Sequence, residues 1–312
     1  MAWFDHAFLG QQGSDENLLD NGNFEPDASA PKPLVDGAYI DSFEMGAKLL
    51  NYRREHFASA YTPLIFDLQG RLCQMEVFYT VEFAREVAKR MWEKGKMTFA
   101  NATPYDFPWP AAWLDVMGTE SDWGPNGKYV PNPDSLMNYR RALCSQRPYL
   151  LLLNTDYDRF KPEWVERYMK RCAAYGFFPS MFSHNGADDP YWQRRNLYNR
   201  DRPLFKKFIP VISALSHAGW EPVTYARSDN PRVFVERFGK PGGPLYLTLF
   251  NDSHEPQYAK VSVDLILLKP GATRFTLDEI LSTTPVTATA SGAAAAPEIE
   301  IGPEDVRVLR LQ

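Results

Sequence analysis

The chain has 312 residues, 44% of them apolar and 23% charged, with a net charge of −5. That is globular composition, long enough for one large core or two ordinary ones. No dense basic block offsets the acidity, which argues against a nucleic-acid surface, and no apolar run approaches the roughly 18–20 residues that span a bilayer.

Residues 1–34 read as polar loop and end in "EPDASAPKP". The opening "MAWFDHAFLGQQGSDENLL" has no basic n-region and no long apolar core, so it does not read as a signal peptide. The expectation is a cytoplasmic chain as given, or a trimmed or truncated form of an exported enzyme. The next segments alternate. The run 38–42 (AYIDS) predicts a strand. Over 79–94, Val81, Ala84, Val87, Ala88 and Met91 form one apolar stripe, and Gly95 closes the helix. Further strands are expected at 96–101 (KMTFAN), 113–118 (WLDVMG), 148–153 (PYLLLL) and 177–182 (FFPSMF). Ala102 to Ala112 holds Pro104, Pro108 and Pro110. It is long enough for a parallel crossover but not for a proper helix. Helices are expected at 134–146, with an Asp cap, at 161–175, between Pro162 and Gly176, and at 203–218, broken or kinked by Pro210. Short apolar strands alternating with helices indicate an α/β domain with a parallel sheet, over residues 1–219.

After Gly219 the pattern changes. Strand-like runs at 221–227, 232–238, 245–250, 259–265, 273–277, 285–290, 297–301 and 305–311 follow with no helix between them. Their apolar–polar alternation predicts an antiparallel β-sandwich over 220–312, with 291–297 (SGAAAAP) as a loop. The cysteines Cys73, Cys144 and Cys172 are odd in number and unpaired in spacing, so buried free thiols are expected.

The chain has no GxSxG elbow, P-loop, GxGxxG or HExxH. What it has is polar groups where parallel strands end, the face on which such sheets carry their sites. These are Asp41 with Ser42 and Glu44, Asn101, Glu120 with Asp122, Asn154 with Asp156, and His184–Asn185. An Asp at a strand end can equally cap a turn. His184 and Asn185 read as cleft lining rather than metal ligands, and Asp188–Asp189 as a solvated loop. Tyr39, Trp109, Trp113, Trp123, Tyr157 and Trp192 are either sugar-stacking rings or core.

The stretches "DGAYIDSFE", "MGTESDW", "NRDRPLFKKFIPVISALSHAGWEPVTYAR" and "DVRVLRL" carry a resemblance. Over about residues 35–312 the chain resembles the later part of a glycoside-hydrolase (β/α)8 barrel of the α-galactosidase type, followed by its C-terminal sandwich. The resemblance implies an α/β fold, a partial or complete TIM-type barrel and then an antiparallel β-sandwich. It makes AYIDS the fourth barrel strand and WLDVMG the sixth. Asp41 then falls at the nucleophile position, and Glu120 or Asp122 at the acid/base position. Glu120 is preferred because Trp123 is placed to cover it. Tyr39, Glu44, Asn101, Trp109, Trp123, Asn154, Asp156, His184 and Asn185 are the expected substrate-binding residues. The expected activity is retaining hydrolysis of an oligo- or polysaccharide, without cofactor, metal, nucleic-acid or membrane partner. The alternatives are a carbohydrate-binding remnant, a lyase and a transglycosidase. The first three strands have no counterpart before residue 35. The barrel is therefore partial, or a homo-oligomer or partner chain completes it.

Overall fold

The computed structural model describes residues 36–183, 190–272, 274–282, 287–291 and 298–312. His184, Asn185, Asp188, Asp189, residues 1–35 and residues 292–297 of the expected 291–297 loop lie outside the described residues; Ser291 ends a strand.

Five strands, β1 (Gly37–Ile40), β2 (Met97–Asn101), β3 (Val116–Ser121), β4 (Tyr149–Thr155) and β5 (Phe178–Ser183), form one sheet in chain order, each parallel to the next. Parallel neighbours in unbroken chain order make a barrel wall, whereas a doubly wound sheet reverses at its switch point. Among the described residues the wall has five strands, the partial form of the barrel expected from the sequence. Helices α1 (Glu76–Trp92), α2 (Asp134–Cys144) and α3 (Pro162–Tyr175) make crossovers, and α4 (Arg195–Ala218) follows β5. The pattern on β4 shows the two faces. Tyr149, Leu151, Leu153 and Thr155 are buried, while Leu150, Leu152 and Asn154 are only partly covered.

Several local expectations shift for physical reasons. β3 runs on to Ser121, so Glu120 lies inside a strand. The chain before it is held by Asp115, whose Oδ2 accepts from Thr98 N at 2.8 Å and Trp92 Nε1 at 2.9 Å. The Pro-rich join holds only a 3-10 turn, Trp109–Ala112. Between β1 and α1 the chain makes a small antiparallel sheet (Leu50–Asn51, Ile65–Phe66, Leu72–Met75) that the sequence pattern did not indicate. Strands this short carry almost no periodicity. Asp134 is the first helical residue rather than a cap; Oδ1 accepts from Tyr175 Oη and Oδ2 from Asn138 Nδ2. α4 is one helix through both Pro203 and Pro210, not a helix broken at Pro210. Buried Leu197, Phe208, Ile212 and Leu215 hold it across the missing hydrogen bonds. The three cysteines are buried and free.

The C-terminal strands are β6 (Trp220–Glu221), β7 (Ala226–Ser228), β8 (Val233–Phe238), β9 (Leu245–Asn251), β10 (Gln257–Ala259), β11 (Val261–Val263), β12 (Arg274–Glu279), β13 (Thr287–Ser291), β14 (Ile299–Ile301) and β15 (Asp305–Leu311). Six of them form a sheet in the order β13-β12-β15-β9-β8-β6, and the pairs β7–β11 and β10–β14 are separate short ladders. Leu247, Leu249, Val261, Leu277, Ile301 and Leu309 fill the space between these layers. The other face of the large sheet sends Phe238, Phe250, Val306 and Val308 into the core of the α/β unit. Gly176 is the hinge of that contact. Its φ is +63°, and a Cβ there would sit 2.5 Å from the Phe238 ring. Only glycine meets both conditions.

Candidate active site

The inner face of the sheet is set by strand register. Tyr39 stands opposite Phe99, Asn101 opposite Gly118, Glu120 opposite Leu152, and Asn154 opposite Phe182. Paired residues share a face, so Tyr39, Asn101, Glu120 and Asn154 all project to the uncovered side. Gly118 is fixed by crowding, because a Cβ would lie 2.9 Å from Leu150 O.

These side chains form one hydrogen-bonded row across four strands. Tyr39 Oη donates to Asp41 Oδ1 at 3.1 Å, and Ser42 Oγ donates to Oδ2 at 3.1 Å. Asn101 Nδ2 donates to Asp41 Oδ1 at 3.0 Å and to Glu120 Oε1 at 2.6 Å. Asn154 Nδ2 donates to Glu120 Oε2 at 2.9 Å. Asn101 is buried at 7% exposure, while Asp41 and Glu120 are exposed. A buried amide therefore wedges between two solvent-facing carboxylates. Both bonded oxygens lie within 3.0 Å of one nitrogen, which keeps them no more than about 5.6 Å from each other.

The row also sets charge. The Asn101 hydrogen bond holds the Asp41 carboxyl below its ordinary value; burial opposes it, and Tyr39 and Ser42 assist. Burial, then the Asp41 charge, pushes the Tyr39 phenol up, so Tyr39 stays a donor. Tyr39 packs edge-on against Phe99 with ring centroids 4.9 Å apart.

Other expected site residues are placed elsewhere. Glu44 is buried and fully used: Oε1 accepts from Thr103 Oγ1 at 2.7 Å and Tyr105 N at 3.1 Å, and Oε2 from Asp106 N at 2.8 Å. It holds the loop after β2 and is not a substrate contact. Trp123 is corrected too. It has no exposed surface and packs edge-on against Tyr129 and Tyr168, so it neither covers Glu120 nor stacks on a sugar. Asp122 Oδ1 accepts from Gly124 N at 2.8 Å and Thr155 Oγ1 at 2.7 Å, tying the end of β3 to the end of β4. Asp156 organises its own turn, accepting from Asp158 N at 3.1 Å and pairing with Arg159 at 3.3 Å. Tyr157 is core, Trp113 is partly buried against Trp92, and Trp192 is exposed beside Phe205. Trp109 is exposed and stacks on Phe107 at 5.1 Å and 15°, a flat aromatic platform.

Tyr105 was missed. It is half-buried in the loop after β2, and its phenol feels the charges of Arg140, Glu120 and Glu44. Burial is the largest effect and raises its pKa. Arg140, itself buried, lies 5.7 Å from the Tyr105 ring centroid. The aromatic–proline run "TPYDFPWP" directly after a strand was the available signal. Among the described residues no cluster of three or more His, Cys, Asp and Glu is placed to hold a metal ion, and no helix is long and apolar enough to cross a membrane.

The described residues thus give a five-stranded parallel wall with a row of carboxylates and amides at the carboxyl ends of its strands, followed by an antiparallel sandwich. Among solved structures the chain is similar to α-galactosidase I from Mortierella vinacea, at 9% identity and a TM-score of 0.47, over 75% of this chain and 63% of that one. It is similar to a GH27 β-L-arabinopyranosidase from Geobacillus stearothermophilus at 12% identity and TM-score 0.29, over 88% of each chain. It is similar also to the γ-CGTase of alkalophilic Bacillus clarkii at 10% identity and TM-score 0.38, over 86% of this chain and 48% of that one. At these identities and TM-scores the similarity assigns no residue a role. The matched part spans less than two thirds of the Mortierella enzyme. No family model matches the chain, and no curated protein sequence does.

Proposed function

We propose that the chain is a carbohydrate-active glycosidase unit with Asp41 as nucleophile and Glu120 as acid/base. The observation that carries this reading is the single Asn101 nitrogen bonded to both carboxylates. An oxygen separation of at most about 5.6 Å is nearer the roughly 5–5.5 Å of a double displacement with retention than the roughly 6.5–9.5 Å of inversion. Asp41, kept ionised by Asn101, Tyr39 and Ser42, attacks the anomeric carbon. Glu120 protonates the departing oxygen, then takes a proton from the water that releases the sugar. Asn154 fits this alternation. Its Oδ1 is buried without a partner, while its Nδ2 donates to Glu120. Turning the amide over presents Oδ1 to a protonated Glu120, so one side chain serves both proton states. The Phe107–Trp109 platform offers a flat face for a sugar ring.

One observation favours a second reading, saccharide binding without hydrolysis: the wall is open, and both carboxylates face solvent. A panel of chromogenic glycosides and polysaccharides separates the two. Hydrolysis that is lost in Asp41→Asn and in Glu120→Gln, with unchanged melting temperatures, supports the glycosidase reading. Full activity in both variants overturns it.

A further inference from the structure

The short ladder β7–β11 belongs to the sandwich alone. Its inward residues Ala226, Val261 and Val263 pack in the sandwich core, and none of them joins the core of the α/β unit. Its outward positions are polar. Arg227 stands opposite Ser262, so both leave the ladder on one face. Asp264 N donates to Tyr225 O at 2.8 Å and closes the end of the ladder. A single helical turn, Leu265–Leu268, follows. Tyr225, Arg227, Ser262, Asp264, Leu265 and Ile266 line a cavity of about 560 Å³, within the range of small-molecule sites.

Tyr225 is held there against its own preference. Its φ is +50°, a left-handed conformation that a bulky side chain rarely adopts. A buried cation backs the ring: the Arg237 guanidinium lies 5.5 Å from its centroid. Arg237 is itself fixed, with Nε donating to Val223 O at 3.0 Å and Nη1 to Gly239 O. Arg237 does not line the cavity, and the Tyr225 ring is 40% exposed, so the ring keeps a free face toward it. Strained residues of this kind cluster at binding sites. The polar groups beside the ring are uncommitted. Asp264 uses only Oδ1, which accepts from Leu267 N at 3.2 Å. Its Oδ2 and the Arg227 guanidinium have no partner among the described residues.

We propose that this cavity binds a neutral pyranose unit of a polysaccharide, apart from the carboxylate row. The free face of Tyr225 stacks on the C–H face of the sugar ring, and exposed Ile266 covers its edge. Asp264 accepts from sugar hydroxyls, and Arg227 donates to them. The lining selects this class. An apolar ligand strips water from Asp264 and Arg227 and returns no hydrogen bonds. An anion meets Asp264 beside the one cation of the cavity wall. A neutral polyol with an apolar face satisfies ring, carboxylate and guanidinium together. A polysaccharide bound there is held by the sandwich while the α/β unit engages another part of it. This inference is independent of the roles of Asp41 and Glu120, and its readout is retention rather than hydrolysis.

The test is affinity electrophoresis of the full chain in gels that contain galactomannan, amylopectin or xylan, with polygalacturonate as the anionic comparison. At least one neutral chain is expected to retard the protein. Tyr225→Gly keeps the backbone, because glycine adopts this φ freely, and removes the ring. Retention should weaken about tenfold in Tyr225→Gly, the scale of one stacked ring, and about fivefold in Arg227→Ala, the scale of one hydrogen bond. Should Tyr225→Gly fail to fold, Arg227→Ala carries the test, since Arg227 is exposed. Chromogenic glycosides are assayed in parallel. Retention that depends on Tyr225 in a chain that hydrolyses none of them sinks the hydrolase reading and supports this one. Retention that persists in both variants, or no retention by any neutral chain, overturns the proposal. Retention by polygalacturonate alone overturns the neutral class. A light-scattering dimer that Tyr225→Gly dissolves gives the surface to a second copy and overturns it too.

Discussion

Asp41 and Glu120 meet through one atom: Asn101 Nδ2 donates to Asp41 Oδ1 at 3.0 Å and to Glu120 Oε1 at 2.6 Å. The two carboxylates come from residues 79 positions apart, yet their spacing is set by a single buried side chain. Asn101→Ala removes that spacer and the largest influence holding Asp41 ionised. The acid limb of the kcat/KM profile should move to higher pH, and activity should fall about 100-fold, the scale of a small misplacement of reacting groups. An unmoved acid limb would separate Asn101 from the control of Asp41.

Two tryptophans in the loops after β2 and β3 should behave in opposite ways. Trp123 is wholly buried, so Trp123→Ala should cost about 3–5 kcal/mol of stability. Trp109 is exposed on its platform, so Trp109→Ala should cost less than about 1 kcal/mol of stability. It should weaken saccharide binding several-fold. Denaturant melts and a binding titration on both variants check the pair.

Glu44 predicts a stability effect in place of a binding one. Its carboxylate accepts from the Thr103 hydroxyl and from the backbone N–H groups of Tyr105 and Asp106. Glu44→Ala leaves these donors unpaired in a buried place, at a cost of about 2–4 kcal/mol. Glu44→Gln, which keeps one acceptor, should cost less. Urea unfolding of both reads the difference.

Stability should fall between mildly acidic and neutral pH. Burial raises the Glu236 carboxyl from 4.5 to about 7, against the hydrogen bond from Trp220 Nε1. The folded state therefore binds this proton more tightly than the unfolded chain does. Its stabilising contribution is complete below about 4.5 and is lost as pH rises to about 7, with an upper bound of about 3 kcal/mol. Asp134, also raised by burial, acts in the same direction. Melting temperatures across this window should decline in the native chain and flatten in Glu236→Gln.

The strand–helix alternation was legible because buried parallel strands and amphipathic helices leave strong local patterns. β15 (Asp305–Leu311) matches the expected run, and β2 and α3 differ from it by a residue. The candidate row was legible as a list of strand-end polar groups. Its membership was not. Whether an acid faces the inner side or caps a turn depends on register and on partners far along the chain. Glu120 and Asp122 both lie on the inner-face side of the alternation. Glu120 meets the amides of Asn101 and Asn154, while Asp122, just past the strand, turns back to Gly124 and Thr155. The burial of Trp123 and Glu44 was not legible, because burial is a tertiary property that position beside a strand end does not reveal. The unbroken α4 shows the same override, with core packing prevailing over two prolines.

The most direct test of the paired-carboxylate account is mechanism-based labelling with a panel of fluorinated glycosyl fluorides, read by peptide mass spectrometry. The account predicts a glycosyl adduct on Asp41, absent in Asp41→Asn and formed more slowly in Asn101→Ala. An adduct on another carboxylate, or turnover that persists in Asp41→Asn, would contradict it.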